Sequence, residues 1–133
     1  MRGKEYVRPI GANWWLQRPA YTQYMLREIT ALFVLGYAIF LLVLIYQATQ
    51  GQDAFTSFVE RLKSPVSIVL HLLVLAMALY HTVTWLNATP KAIVLWRGEE
   101  RVPPETLIAG SYVVWLVLSI LIAGIVFAVA RTG

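Results

Sequence analysis

The sequence contains no cysteine and few charged residues. Without cysteine the chain forms no disulfide and no thiolate metal site, and it binds no iron–sulfur cluster of its own, so any redox metal is held by histidine or by another protein. Charged residues make up 14% of the chain, against about 25% in an average soluble domain. Hydrophobic residues make up 59%. This composition predicts an integral membrane protein.

Long stretches without any charged residue occur three times, between Glu28 and Asp53, Lys63 and Lys91, and Glu105 and Arg131. Each exceeds the roughly 20 residues that a helix needs to cross a hydrocarbon core of about 30 Å. We therefore expect an all-α membrane protein with three transmembrane helices, at about 21–47, 64–88 and 105–130. Too little chain remains for a soluble domain, so residues 1–133 form one predicted membrane-anchor domain.

The charges also predict the orientation of the chain. With a cytoplasmic N-terminus, eight cations lie inside, namely Arg2, Lys4, Arg8, Arg18, Arg27, Lys91, Arg97 and Arg101. Outside lie Arg61, Lys63 and Arg131. This asymmetry follows the positive-inside rule and places the C-terminus outside. It also explains the net charge of +4 without nucleic acid as a partner.

The segments outside the three spans have their own signals. Residues 1–20 lack the apolar stretch of a secretory signal, so we expect a retained cytoplasmic arm, with Trp14 and Trp15 as an interfacial anchor rather than a ligand site. Residues 54–62 can form a short amphipathic helix on the membrane. Ser64-Pro65 is a good start for the second span, and Pro90 should end it.

Three residues whose side chains could bind a ligand or move protons lie together on the cytoplasmic side in this topology. Glu28 opens the first span, while His81 and Trp85 lie near the inner end of the second. His81 and Trp85 are spaced i, i+4, so they share a helix face and can address one ligand, with the hydroxyls of Thr82 and Thr84 nearby. A glutamate, a histidine and an indole N–H beside an apolar slot suit a quinone head group, whose oxygens need hydrogen bonds and whose reduction moves two protons.

Simpler interpretations stay open for each residue. Glu28 can pair with Arg27 or with a lipid headgroup, His81 can bond a backbone carbonyl, and Trp85 can be an interfacial residue. His71 lies ten residues before His81, about 15 Å along a helix, so one haem iron cannot take both. The bland interpretation of His71 is a satisfied polar contact between helices, and the functional one is a haem ligand completed by another chain, or a contact of a distal quinone.

A series of motifs resembles a known family. Tyr6-Val7-Arg8-Pro9, Trp14-Trp15, Tyr24-Met25-Leu26-Arg27-Glu28, His81-Thr82-x-Thr84-Trp85 and Pro90-Lys91-Ala92 occur in this order on a chain with three spans. Together they resemble the C subunit of bacterial fumarate reductase, one of its membrane anchors. The resemblance covers nearly the whole chain, and the series is specific although no single motif is.

The resemblance implies a four-subunit quinol:fumarate reductase of the inner membrane, within the succinate:quinone oxidoreductase superfamily. A flavoprotein subunit with FAD and an iron–sulfur subunit would stand in the cytoplasm on two membrane anchors, the C and D subunits. This chain would have no activity alone, but within the oxidoreductase it would contribute part of a menaquinol oxidation site. Arg27, Glu28, His81 and Trp85 match the family's quinone-site positions, and His71 has no such counterpart.

We therefore expect Glu28 to accept a proton from the quinol, Arg27 to tune it, and His81 and Trp85 to hold the quinone oxygens. Lys91 would support the quinone site or the partner surface, and the loop from Lys91 to Arg101 would dock the iron–sulfur subunit with the N-terminal arm. The alternatives are a succinate dehydrogenase-type anchor that reduces quinone, a haem b-binding anchor through His71, and a purely structural anchor in the lipid bilayer.

Overall fold

The computed structural model describes residues 9–132. Predictions that concern residues 1–8, such as the inner position of Arg2, Lys4 and Arg8, lie outside the described residues. A single turn of 3-10 helix at Trp14–Leu16 comes first. The elements that follow are α1 (Pro19–Thr49), α2 (Gln52–Leu62), α3 (Pro65–Ala92), the short strands β1 (Trp96–Arg97) and β2 (Glu100–Arg101), and α4 (Pro104–Thr132).

Three of the helices are long and apolar enough to cross a membrane, as the sequence predicts. α1, α3 and α4 contain 31, 28 and 29 residues, which is more than 40 Å each at about 1.5 Å per residue. Apart from Pro90, no aliphatic or aromatic side chain within residues 9–132 is buried by the rest of the chain. The expected all-α membrane fold is confirmed, and its apolar surface is left for lipid or for other proteins.

The chain divides into two compact units, Met1–His81 and Thr82–Gly133, with the boundary inside α3. The first unit contains α1, α2 and the first part of α3, and the second contains the end of α3, the hairpin and α4. We describe each unit by itself. The single membrane-anchor domain over residues 1–133 stays a prediction.

In the first unit α1 and α3 run antiparallel. The ring of His71, early in α3, contacts the rings of Tyr37 and Phe40 edge-on, at 5.7 and 5.2 Å between centroids. His81, later in α3, lies against Thr30, earlier in α1, with Nδ1 3.2 Å from the threonine hydroxyl. The two helices therefore run in opposite directions, and the early part of α1 lies beside His81, in the later part of α3.

The short helix α2 confirms the amphipathic helix expected near residues 54–62, although it begins two residues earlier, at Gln52. Gly51 makes this start possible with a φ of 102°, a conformation that side-chain-bearing residues rarely adopt. Phe58 of α2 stacks on Phe40 of α1 at 6.2 Å. The segment between the first two spans is thus packed on α1.

The arm before α1 is held to that helix by aromatic and polar contacts. Trp14 meets Tyr21 edge-on at 5.5 Å, and Arg18 lies 5.9 Å from the centre of the same tyrosine ring. The Thr22 hydroxyl donates to the Trp15 carbonyl at 2.9 Å. Residues 14–18 are therefore packed against the first turn of α1.

The start of α3 agrees with the prediction from the sequence, and its end does not. Ser64 caps the helix as predicted, because its hydroxyl accepts a hydrogen bond of 3.3 Å from the Ser67 N–H. The predicted end before Pro90 is wrong, since the helix continues through Pro90 to Ala92. A proline this close to the end removes the one N–H that would bond the Leu86 carbonyl, and the last residues can still keep helical dihedrals.

In the second unit a hairpin replaces the expected loop before α4. Trp96 pairs with Arg101 and Arg97 with Glu100, and Gly98 turns the chain with a φ of 67°. A tight hairpin with two central residues commonly places glycine at such a position, because its preferred turns need a positive φ. The hairpin carries Trp96, which is 65% exposed.

A hydrogen bond between two side chains joins α3 and α4 in this unit. The Asn87 side-chain amide donates to the Val83 carbonyl of its own helix and to the Tyr112 hydroxyl of α4, both at 2.7 Å. An interhelical hydrogen bond of this type contributes about 0.6–1.7 kcal/mol in a membrane protein.

We predict that replacing Asn87 with Leu lowers the stability of the protein in detergent by about 1 kcal/mol. Tyr112→Phe should lower it by a similar amount, since it removes the other half of the same bond. The double variant should then be no less stable than the worse single variant, as measured by thermal unfolding. Additive losses would contradict a shared bond.

Candidate functional site

Arg27 and Glu28, in the third turn of α1, form an ion pair. The Arg27 Nη2 lies 3.2 Å from the Glu28 Oε1. The arginine side chain is 15% exposed and the carboxylate 47% exposed. Arg27 also lies over the Tyr24 ring, at 4.8 Å from its centre. The simpler interpretation of Glu28, a pairing with Arg27, is therefore observed. The pairing leaves about half of the Glu28 side chain exposed.

His81 is tied to α1 through a cluster of three groups, which we call the Thr30–His81 cluster: the Arg27 backbone carbonyl, the Thr30 hydroxyl and the His81 ring. The Thr30 hydroxyl donates to the Arg27 carbonyl at 2.6 Å. His81 Nδ1 lies 3.2 Å from that hydroxyl and 3.3 Å from the same carbonyl. Within residues 9–132 Thr30 is the one buried polar residue, at 4% exposure.

The cluster brings His81 next to the segment that carries Glu28. The carbonyl that His81 contacts belongs to Arg27, the residue directly before Glu28. An acidic side chain and an imidazole thus lie at the same end of the α1–α3 pair, on two different helices. A carboxylate can accept protons and hydrogen bonds, and an imidazole can do both and also donate.

Trp85 belongs to the second unit. Its side chain is 45% exposed and borders a cleft of about 290 Å³ between the end of α3 and the start of α4. The cleft is lined by Trp85, Leu86, Thr89, Pro90, Ile93, Leu95, Leu107 and Ser111. An indole N–H beside an apolar cleft can orient a bound oxygen but cannot relay protons. Thr82, Thr84 and Lys91, the other predicted contributors, also lie in this unit.

Two threonines were missed by the sequence-based reasoning. Thr30 supports His81, and Thr89 places a buried hydroxyl at the cleft beside Trp85, without a hydrogen-bond partner in the described part of the chain. Threonine hydroxyls in helices usually bond a carbonyl one turn back, so sequence alone gives no signal for either role. An open buried hydroxyl is a possible contact for a ligand oxygen.

His71 lies at the opposite end of the first unit from His81. Its Nδ1 donates to the Ser67 carbonyl at 2.7 Å, and its ring contacts two aromatic rings of α1. It also borders an apolar groove of about 730 Å³ between α1 and α3. The bond lies within its own helix, so the polar atom is satisfied locally and the contact with α1 is aromatic.

No group of three or more histidine, aspartate or glutamate side chains that could hold a metal ion occurs among residues 9–132. The described residues offer proton acceptors and hydrogen-bond partners beside apolar surface. A ligand with an apolar body and two oxygens fits this set.

Comparison with known proteins identifies related chains. The family model for the C subunit of fumarate reductase matches residues 1–127. The fumarate reductase C subunit of Mycobacterium tuberculosis is 33% identical over 123 residues, covering 92% of this chain and 98% of the relative. The proteins of the same name from Salmonella heidelberg and Citrobacter koseri are 40% and 39% identical over 119 residues, covering 90% of this chain and 91% of each relative.

Proposed function

The chain belongs to the family of fumarate reductase C subunits, and from that premise we propose that it forms part of a menaquinol oxidation site while anchoring the catalytic subunits. The observation that carries the proposal is the position of Glu28 and His81 at one end of the α1–α3 pair, joined through the Arg27 carbonyl. The family and the three apolar helices together make the chain a multi-pass protein of the inner membrane.

Menaquinol supplies two electrons and two protons when it is oxidised, and its head group offers two oxygens to the protein. The donor and acceptor set of the chain fits such a head group, because hydroxyls need acceptors and carbonyl oxygens need donors. Glu28 and His81 are acceptors, and Trp85 is a donor. The surrounding α-helices supply the apolar surface that the rest of the molecule needs.

Glu28 is the proposed proton acceptor. Its carboxylate is 47% exposed, so it can take a proton from a bound quinol hydroxyl and pass it on to water. Arg27, which donates a hydrogen bond to one oxygen of the same carboxylate, holds that oxygen in place. Arg27 thereby prepares the carboxylate without being a proton carrier itself.

His81 and Trp85 are the proposed partners of the quinol oxygens. His81 is held by the Thr30–His81 cluster, so its ring has a fixed direction. Trp85 can donate from its indole N–H at the cleft that it borders. Working as a succinate dehydrogenase-type anchor would use the same residues in the reverse direction, and the names of the relatives favour fumarate reduction.

The proposed partners are an iron–sulfur subunit, a flavoprotein subunit with FAD, and the second membrane anchor, the D subunit. The hairpin and the preceding residues offer exposed apolar side chains, among them Leu95 at 46% and Trp96 at 65%. Arg97 and Arg101 lie beside them, together with Glu99 and Glu100. With a cytoplasmic N-terminus, this surface and the residues before Tyr21 would dock the iron–sulfur subunit. Lipid and the second anchor would cover the exposed apolar faces of the spans.

A purely structural anchor is the main competing function. It is favoured by the large exposed apolar surface of α4, which carries no charged residue between Glu105 and Arg131. In that case the partner chains would supply every contact with the quinol. The two functions differ in what a substitution at Glu28 does to an assembled complex.

We predict that Glu28→Gln slows menaquinol oxidation by the assembled complex by about 10²-fold or more, because loss of a positioned proton acceptor typically costs that much. Fumarate reduction from an artificial electron donor should be unchanged, since that path bypasses the quinol. Both rates are measured on membranes containing equal amounts of complex.

The matched control is Glu60→Gln. Glu60 also pairs with a cation, Lys63, at 2.6 Å and is exposed, but it lies on α2. This variant should oxidise menaquinol at the normal rate. Normal quinol turnover in Glu28→Gln would reject the proposed role, and reduced assembly of that variant with normal turnover per complex would support the structural anchor.

A haem b at His71 is a further alternative, and the local contacts of His71 argue for a structural role instead. We predict that the dithionite-reduced complex shows no b-type haem absorption that depends on His71. The test compares the spectra of the complex and of His71→Gln, which keeps a polar side chain of similar size. A b-type band lost in the variant would overturn this prediction and establish a haem ligand.

A further inference from the structure

The apolar groove of about 730 Å³ between α1 and α3 lies wholly within the first unit. Most of its walls are aliphatic and aromatic side chains, and Gly36 of α1 is part of them. A Cβ atom at Gly36 would meet no other atom within 4 Å. The missing side chain at this position therefore adds open space to a groove whose volume lies in the range of about 300–1,000 Å³ that holds organic ligands.

The groove is polar at one end and apolar at the other. Ser64 and Ser67, at the start of α3, line the polar end, whereas Leu32, Phe33 and Val74 line the apolar end. Ser67 and Val74 are separated by about 10 Å along the helix. The groove thus begins at the end of a membrane span and reaches towards the middle of the hydrocarbon, which suits a ligand with a polar head and an apolar tail.

The two serines offer hydrogen-bond donors at the polar end. The Ser64 Oγ accepts a hydrogen bond from the Ser67 N–H at 3.3 Å. The Ser67 Oγ lies 3.4 Å from the His71 Nδ1, whose proton is directed to the Ser67 carbonyl at 2.7 Å. Neither serine hydroxyl has an acceptor for its own proton among residues 9–132. A ligand group that can only accept, such as an ester carbonyl, fits both hydroxyls.

A positive charge borders the same end of the groove. Leu62 of α2 lines the groove, and Arg61 directly precedes it in the chain. Arg61 is exposed and forms no ion pair within the described part of the chain. The neighbouring Lys63 is paired with Glu60 at 2.6 Å. The guanidinium of Arg61 therefore remains to bind an anion, and phosphate suits its planar set of donors.

We propose that this groove binds one membrane phospholipid, with an acyl chain along Gly36, its ester carbonyls at the serine hydroxyls and its phosphate at Arg61. The amphipathic helix α2 lies at this end of the spans, at the depth where lipid headgroups reside. The site is independent of the proposed quinol site, because His81 lies at the other end of the α1–α3 pair.

Two other occupants fit the groove less well. A transmembrane helix of a partner would continue beyond the polar end and would have to pass α2 there, whereas an acyl chain ends at its ester. A quinone carries no charge, so it would leave Arg61 without a counterion. The combination of donors, positive charge and an apolar end thus favours a phospholipid.

Filling the groove tests the acyl-chain position. Gly36→Leu places a branched side chain in the open space, so we expect the purified complex to retain one phospholipid fewer than the wild type. The measurement is native mass spectrometry of the complex after extensive washing with mild detergent. A wild-type complex that retains no phospholipid would overturn the proposal, whatever the variant does.

Ala38→Leu is the matched control. It adds the same side chain to the same helix two residues later, about 200° around the axis. Ala38 is exposed and does not line the groove. This variant should retain the same phospholipid as the wild type, and an equal loss in both variants would overturn the proposed position.

Replacing Arg61 tests the phosphate contact. Delipidated complex is titrated with dioleoylphosphatidylglycerol and with dioleoylglycerol, which has the same chains and esters but no phosphate. We expect Arg61→Gln to weaken binding of the phospholipid about fivefold, since one cation near a membrane surface contributes about that much. Binding of dioleoylglycerol should not change. Arg131→Gln, which removes a cation from the last turn of α4, should bind both lipids as the wild type does.

The same spectra identify the other occupants. A retained quinone that replaces the phospholipid in the wild type and is lost from Gly36→Leu would overturn the proposal. Loss of the second membrane anchor from Gly36→Leu, with the phospholipid content of the rest unchanged, would show that the groove seats that subunit. An equal effect of Arg61→Gln on both lipids would overturn the phosphate contact.

Discussion

Hydrocarbon offers no hydrogen-bond partners, so a polar group within a membrane span must find its partner inside the protein. In the α1–α3 pair this requirement is met at the Thr30–His81 cluster, where one hydroxyl, one ring nitrogen and one carbonyl satisfy one another. Apolar contacts between helices in lipid specify little about register, because lipid tails are as apolar as leucine. The cluster does specify it, since Thr30 can meet His81 at only one relative position of the two helices.

Two other polar residues of the spans meet the same requirement in a different way. Asn87 and His71 each donate to the carbonyl four residues earlier in their own helix. Asn87 then reaches the Tyr112 hydroxyl across to α4, while His71 makes only aromatic contacts with α1. His81 differs from both, because its Nδ1 contacts lie on the neighbouring helix. Its ring is therefore fixed by tertiary structure, which is a better basis for a ligand contact than a local bond.

These differences explain what the sequence could and could not reveal. The spans and the cap at Ser64 depend on composition and on local chemistry, and both were predictable. Thr30 and His81 are 51 positions apart in the chain. Their contact depends on the rotation and register of α1 against α3, which no local sequence pattern shows. The hairpin around Gly98 was missed because its two-residue strands are too short to show an alternation of side chains. The continuation past Pro90 was missed because proline is a strong but not absolute stop.

The residues of the proposed site differ in how far their side chains are buried, and their proposed roles differ accordingly. Glu28 is about half exposed, so its carboxylate can rotate between a ligand and water. His81 is partly buried and held at Nδ1 by two groups of α1, so its ring has a fixed direction. A group that must export protons benefits from access to water, whereas a group that must recognise a ligand benefits from a fixed ring. The same Arg27 serves both, because its side chain bonds the carboxylate while its carbonyl fixes the imidazole. A shift of α1 by one residue would therefore disturb proton acceptance and ligand recognition together.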